Sequence, residues 1–258
     1  MHYIDTHSHF YREYYPDDFS DAIKRAMDCN VSQIILPCVT VANVSEIFEA
    51  TDLFPENLFP LIGLHPTEVK QNYIQELTTL EPFLKDSRVV GIGECGIDLY
   101  WDKGTLEEQK IAFTRQLEWA KEYHLPLSLH VRDAYAETID ILKKYVKEGI
   151  TGILHCFSGG IEEAKWAINH GFLLGIGGII TFKNNKLQSI IKEIGLQYLT
   201  LETDAPFLAP VPHRGTTNES SYIPLIADKI AEIFETSSEE VMNITTQNAW
   251  NIFTKLPH

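Results

Sequence analysis

Eight short runs along this chain are apolar almost throughout, at residues 3–7, 33–39, 58–64, 89–94, 125–131, 152–156, 172–176 and 198–202. Most lack the in/out alternation of a half-exposed strand, so they read as strands covered on both faces, and helix-spaced segments fill the gaps between them. Thr105 with Glu108 reads as a reciprocal cap opening an amphipathic stretch, which predicts a helix over about 106–123. Ser237 with Glu240 opens a last helix that turns Val241, Ile244, Ala249 and Ile252 toward the core. Strand followed by helix, repeated eight times without a Pro-, Gly- and Ser-rich linker, predicts an α/β fold: a single TIM-type (β/α)8 barrel over 1–258. The length suits it, since such barrels typically take about 250 residues. The rival is an open doubly wound sheet, which would gather its ligands at one or two switch-point crevices.

The polar residues at the ends of these runs change the picture from fold to chemistry. His7, His9, Glu94, His130, His155 and Asp204 each fall at the C-terminal edge of a predicted strand. In a parallel barrel those edges converge on one rim, so donors far apart in sequence become neighbours. His7 and His9 are two residues apart in an extended segment and so share a face, from which both imidazoles reach one ion. Glu94 follows an apolar run with no basic residue between Arg88 and Lys103, which favours a bridging role between cations over a salt bridge. His130 and His155 close consecutive strands. Glu202 and Asp204 close the last: Asp204 is assigned to accept a proton from the attacking water, and Glu202 to orient a ligand or contact substrate. His65 is read as a substrate-anion contact on the same rim, and Arg214 is added to the substrate contacts. His124 and His170 precede strands and belong to the opposite rim, while His2, His213 and His258 are read as surface residues.

All six ligand candidates are N or O donors, which admits Zn, Mn, Co or Mg and excludes thiolate-specific sites. Two divalent ions about 3.5–4 Å apart would generate hydroxide at neutral pH and stabilise a departing oxygen. The catalytic pair on this reading is Asp204 and Glu94.

Composition narrows the partners. A 44% hydrophobic fraction with 22% charged residues supports a packed core. The formal charge of −15, from 21 basic against 36 acidic residues, discourages nonspecific adhesion to nucleic acid or anionic lipid, so an anionic substrate needs local help from bound cations. The N-terminus lacks a basic head and apolar run, no segment approaches membrane-spanning length, and no obligate protein partner is evident; a cytoplasmic location is expected. The four cysteines have no CxxC spacing and read as reduced packing residues, Cys95 included despite following Glu94.

Five motifs taken in order, Asp5-Thr6-His7-Ser8-His9, Gly63-Leu64-His65-Pro66, Gly93-Glu94-Cys95-Gly96-Ile97-Asp98, His155-Cys156-Phe157-Ser158-Gly159 and Glu202-Thr203-Asp204-Ala205-Pro206, resemble the TatD family of metal-dependent hydrolases across the whole chain. The resemblance implies one ion held by His7, His9 and Asp204, another by His130 and His155, and Glu94 between them. It also implies deoxyribonuclease chemistry, hydrolysis of phosphodiester bonds in DNA by metal-activated water, often from the ends of single strands, with His65 and Arg132 near the phosphate. The chain departs from the family pattern at Arg214-Gly215-Thr216-Thr217, where further basic residues are usual, and at Trp101, where a basic side chain is expected; Tyr100 and Trp101 offer base stacking instead. Two other readings compete: an amidohydrolase-type hydrolase of a small ester, lactone or amide, and a noncatalytic nucleic-acid-binding protein. A lysine carbamate commonly bridges the metals of the first, where this chain has Glu94, and acidity argues against the second.

Overall fold

The computed structural model describes residues 1–15, 17–183 and 185–258. Eight parallel strands follow one another in chain order: β1 (Tyr3–Asp5), β2 (Val31–Leu36), β3 (Leu58–Ile62), β4 (Gly91–Asp98), β5 (Leu127–Arg132), β6 (Gly152–Leu154), β7 (Phe172–Ile176) and β8 (Leu199–Leu201). Helices α1 (Phe19–Asp28), α2 (Val44–Leu53), α3 (Tyr73–Leu80), α4 (Leu106–Tyr123), α5 (Tyr135–Leu142), α6 (Ile161–Ile168) and α7 (Leu187–Ile194) cover the outside, and α8 (Ile223–Phe234) and α9 (Ser238–Ile252) complete it. The Thr6 N–H donates to the Leu201 carbonyl at 2.9 Å and the Asp204 N–H to the His7 carbonyl at 2.9 Å, which stitches β1 to β8 and closes the barrel. The (β/α)8 expectation holds.

Amphipathic spacing explains how the helices dock. In α1, Phe19, Ala22, Ile23 and Ala26 fall on one face and all are buried. The last helix also seals one end of the barrel. Ala249 and Trp250, with Phe253 and Leu256 just beyond it, pack against Ile4, Ile35, Leu61, Val90 and Ile153 and plug the interior with an apolar layer. This layer lies at the N-terminal end of the barrel, where the Trp250 indole N–H donates to Gln33 Oε1 and Lys255 Nζ to the Val89 carbonyl, so polar side chains collect at the other end. No helix is long and apolar enough to cross a membrane among the described residues.

Two local expectations are corrected. Ser237 caps α9 as predicted, accepting from the Glu240 N–H at 3.1 Å, but Thr105 makes no such cap; its hydroxyl takes the Gln109 side-chain N–H at 3.0 Å instead. The buried face of α9 carries Val241, Met242, Thr245, Thr246, Ala249 and Trp250, so Ile244 and Ile252 are only partly buried. Trp250 dominates that choice, because plugging the barrel removes its large ring from water.

Candidate metal centre

Strand β4 positions the residue on which the site is built. It runs four residues past Glu94, so Glu94 sits inside the strand and not at its edge as the apolar run implied. Pairing with β5 breaks between Ile92 and Cys95. Across that bulge Gly93 and Glu94 pair with the segment after β2, where the Cys38 N–H donates to the Gly93 carbonyl and the Glu94 N–H to the Cys38 carbonyl. Gly93 adopts φ +152, and a Cβ there would stand 2.8 Å from the Ser128 carbonyl oxygen, so the position demands glycine. The bulge turns the Glu94 carboxylate into the centre of the mouth.

Five imidazoles surround that carboxylate, and they divide between its oxygens. His7 Nε2 lies 3.1 Å and His9 Nε2 3.3 Å from Oε2. His130 Nδ1 lies 2.8 Å, His65 Nε2 3.3 Å and His155 Nε2 3.6 Å from Oε1. Asp204 Oδ1 completes the ring at 3.5 Å from His9 Nε2 and 3.9 Å from His155 Nε2. All six predicted ligands therefore converge, and His65, expected to contact substrate outside the metal core, stands among them.

The outer nitrogen of four of the five rings meets a hydrogen-bonding neighbour. His7 Nδ1 is 2.9 Å from Ser128 Oγ, and His9 Nδ1 is 3.3 Å from the Tyr11 hydroxyl. His65 Nδ1 is 2.7 Å from Thr67 Oγ1. His130 Nε2 donates to Asp98 Oδ2 at 2.8 Å, leaving Nδ1 to face Glu94. His155 Nδ1 lies 3.1 Å from Glu202 Oε1, out of line for a hydrogen bond, while the same oxygen accepts the Cys156 N–H. Partners of this kind fix the tautomer and orientation of metal-ligating histidines.

The charges respond to one another. Burial and the neighbouring His155 push the His7 pKa well below its ordinary value. Burial would raise Glu94, but the His65, His7 and His155 rings outweigh it and hold the carboxyl well below the usual range. For His155 burial works downward, yet Glu202, Glu94 and Asp204 lift it to about 10. Burial raises Asp204 to about 6. The donor set suits divalent cations: His7 Nε2 and His9 Nε2 face each other at 3.3 Å, as do His65 Nε2 and His130 Nδ1, an arrangement of converging lone pairs that a cation would satisfy.

Glu202 is fully buried beside His155, away from the surface a substrate would meet. Arg132 stands at the mouth with its guanidinium 3.8 Å above the Tyr100 ring, and lines a cavity of about 280 Å3 with His130, His155, Asp204 and Leu208. Arg214 is exposed and lies over the Phe182 ring at 4.5 Å, away from that lining. Cys95 is buried with its thiol toward the Ser128 carbonyl. His124 is exposed at the C-terminal cap of α4, and His170 bonds the Trp166 carbonyl; neither joins a ligand cluster. His213, partly buried, stacks on Tyr222, and His258 is exposed and stacks on Trp250, whereas His2 is partly buried edge-on to Trp250 and is not a surface residue.

Asp98 and Asp5 are two further buried carboxylates of the site. Four residues from Glu94 in an extended strand means the same face, a signal that would have found Asp98. Asp5 is buried and accepts from Thr203 N–H at 2.9 Å, Thr203 Oγ1 at 2.6 Å and Ser220 Oγ at 2.7 Å, tying the His7 segment to the Asp204 turn. A carboxylate inside an apolar strand was its signal.

Known proteins share this architecture. The profile of the TatD related DNase family matches residues 4–254. The chain is 38% identical over 254 residues to the uncharacterized metal-dependent hydrolase YabD of Bacillus subtilis (strain 168), covering 97% of this chain and 98% of that one. It is 30% identical to the uncharacterized metal-dependent hydrolase YcfH of Escherichia coli (strain K12), covering 98% and 96%. Among solved structures, the TatD homolog YjjV from Escherichia coli K12 superposes with a TM-score of 0.90 at 28% identity over 98% of both chains. With its mouth of histidines and carboxylates gathered on Glu94, this chain belongs to the TatD family of metal-dependent hydrolases.

Proposed function

We propose that this protein hydrolyses phosphodiester bonds of DNA, acting on the ends of single strands with two divalent ions. The observation that carries the reading is the division at Glu94: one oxygen faces His7 and His9, the other faces His130, His65 and His155. His7, His9 and Asp204 would hold one cation and His130 and His155 the other, with Glu94 addressed from both sides. When bound, the ions acidify a water and offset charge on the phosphoryl oxygens.

The remaining chemistry belongs to the chain. Asp204, at the edge of the ring of imidazoles and 3.5 Å from His9 Nε2, accepts the proton of the attacking water. Asp98 and Ser128 keep His130 and His7 turned inward, and Arg132 at the rim of the cavity contacts the phosphate. His65, with Nε2 3.3 Å from Glu94 Oε1, would serve either the second ion or a phosphate oxygen.

The test uses chelated protein returned to Mg, Mn, Co or Zn and a labelled single-stranded oligonucleotide. Metal-dependent shortening of the strand, lost in His130→Ala with the fold retained, supports the reading. Hydrolysis of lactones or esters with DNA untouched replaces it with the amidohydrolase-type alternative, and DNA binding that persists unchanged after chelation, without cleavage, favours the noncatalytic one.

A further inference from the structure

The barrel mouth is where this chain leaves large apolar side chains in water. Eleven large hydrophobic residues are exposed among those described, and six of them, Tyr14, Tyr100, Trp101, Phe207, Leu208 and Val211, lie on the three loops that follow β1, β4 and β8. Exposed apolar area concentrated at one place marks a binding surface. It falls into two clusters. Phe207 stands edge-on to His9, ring centres 6.0 Å apart, and edge-on to Tyr14 at 5.8 Å. Tyr100 and Trp101 meet edge-to-face at 5.1 Å beneath the Arg132 guanidinium, and Asp98 Oδ1 accepts both of their backbone N–H groups at 2.9 and 3.0 Å while its other oxygen holds His130.

His9 follows β1 and His130 lies on β5, strands opposite one another in an eight-stranded barrel. The two aromatic clusters therefore flank the metal centre from opposite sides, each fastened to a ligand, and the cavity opens beside them, lined by Arg132, which covers Tyr100, and by Leu208, next to Phe207. Resting on the nuclease reading, we infer that the mouth carries two nucleobase subsites, one on each side of the scissile phosphate: Phe207 with Tyr14, and Tyr100 with Trp101. Aromatic faces accept any base, and Arg132 over the Tyr100 ring joins that subsite to the phosphate at the rim of the cavity. Bases locked into a duplex stack on their own neighbours, so paired subsites select unpaired strands.

The experiment compares oligothymidylate with an abasic strand of the same length. Wild type is expected to prefer the strand with bases. Trp101→Ala and Phe207→Ala each raise KM for oligothymidylate, by about 5- to 150-fold from the stacking contribution of one base, and bring the preference toward one; Trp101→Phe and Phe207→Tyr restore it. Oligothymidylate should also quench tryptophan emission in wild type and not in Trp101→Phe, since Trp119 and Trp250 are buried and Trp166 lies on α6 outside the barrel. Both alanine variants keeping the wild-type KM and preference would overturn the subsites. Wild type that cleaves neither strand overturns the nuclease reading instead, and the quenching then decides the subsites separately.

Discussion

At the scale of single residues, the site is a set of imidazoles each told which nitrogen to present. His130 shows this best, with Asp98 at 2.8 Å on one nitrogen and Glu94 at 2.8 Å on the other. In Asp98→Asn the amide oxygen can keep the Tyr100 and Trp101 N–H groups, but its NH2 then points at His130 Nε2 and drives the ring proton to Nδ1, the nitrogen needed for metal. Affinity at the second ion should fall about 10- to 100-fold with the fold intact; calorimetric titration showing wild-type affinity would rule this out. His155 makes a second prediction. Held at about 10 by Glu202, Glu94 and Asp204 against an ordinary 6.5, it is protonated at neutral pH in the ion-free protein. A cation taking Nε2 must displace that proton, so apparent affinity rises with pH up to about 10 and levels above it. Titrations in buffers of different ionisation heat should register the released proton, and no release would contradict the assignment.

At the scale of elements, the strands and the long α4 were legible because apolar runs and helical spacing report burial directly. Strand ends were less so. The run 89–94 stops being apolar at Glu94, yet β4 continues to Asp98, because inward-facing polar residues at a mouth obey the site and not the core. The bulge at Gly93 had no sequence signal beyond the glycine itself. Gly93→Ala should cost about 1–3 kcal/mol through its positive φ and the 2.8 Å approach to Ser128, and should weaken metal binding as well, since Glu94 turns on that bulge. Denaturant unfolding with parallel metal titration checks both; a loss of stability with unchanged metal binding would separate the bulge from the site. Ser237→Ala should cost about 1 kcal/mol as a lost cap, and the cap expected at Thr105 failed because Gln109 competes for its hydroxyl.

At the scale of the whole molecule, α9 plugs one end of the barrel with Trp250 and Phe253 and leaves donors from β1, β4, β5, β6 and β8 at the other. That convergence was readable from sequence, since parallel strands fix which rim their ends share; the closeness of His65 to Glu94 was not, because rim position alone does not give depth. Ions bound only by the folded chain should raise the melting temperature in proportion to the logarithm of their concentration. The most direct measurement is anomalous diffraction from crystals grown with Mn or Zn. Two peaks about 3.5–4 Å apart, one beside His7 and His9 and one beside His130 and His155 with Glu94 between them, are predicted. A single peak, or none with Glu94 still gripping the imidazoles, would contradict the bridged pair on which the hydrolase mechanism stands.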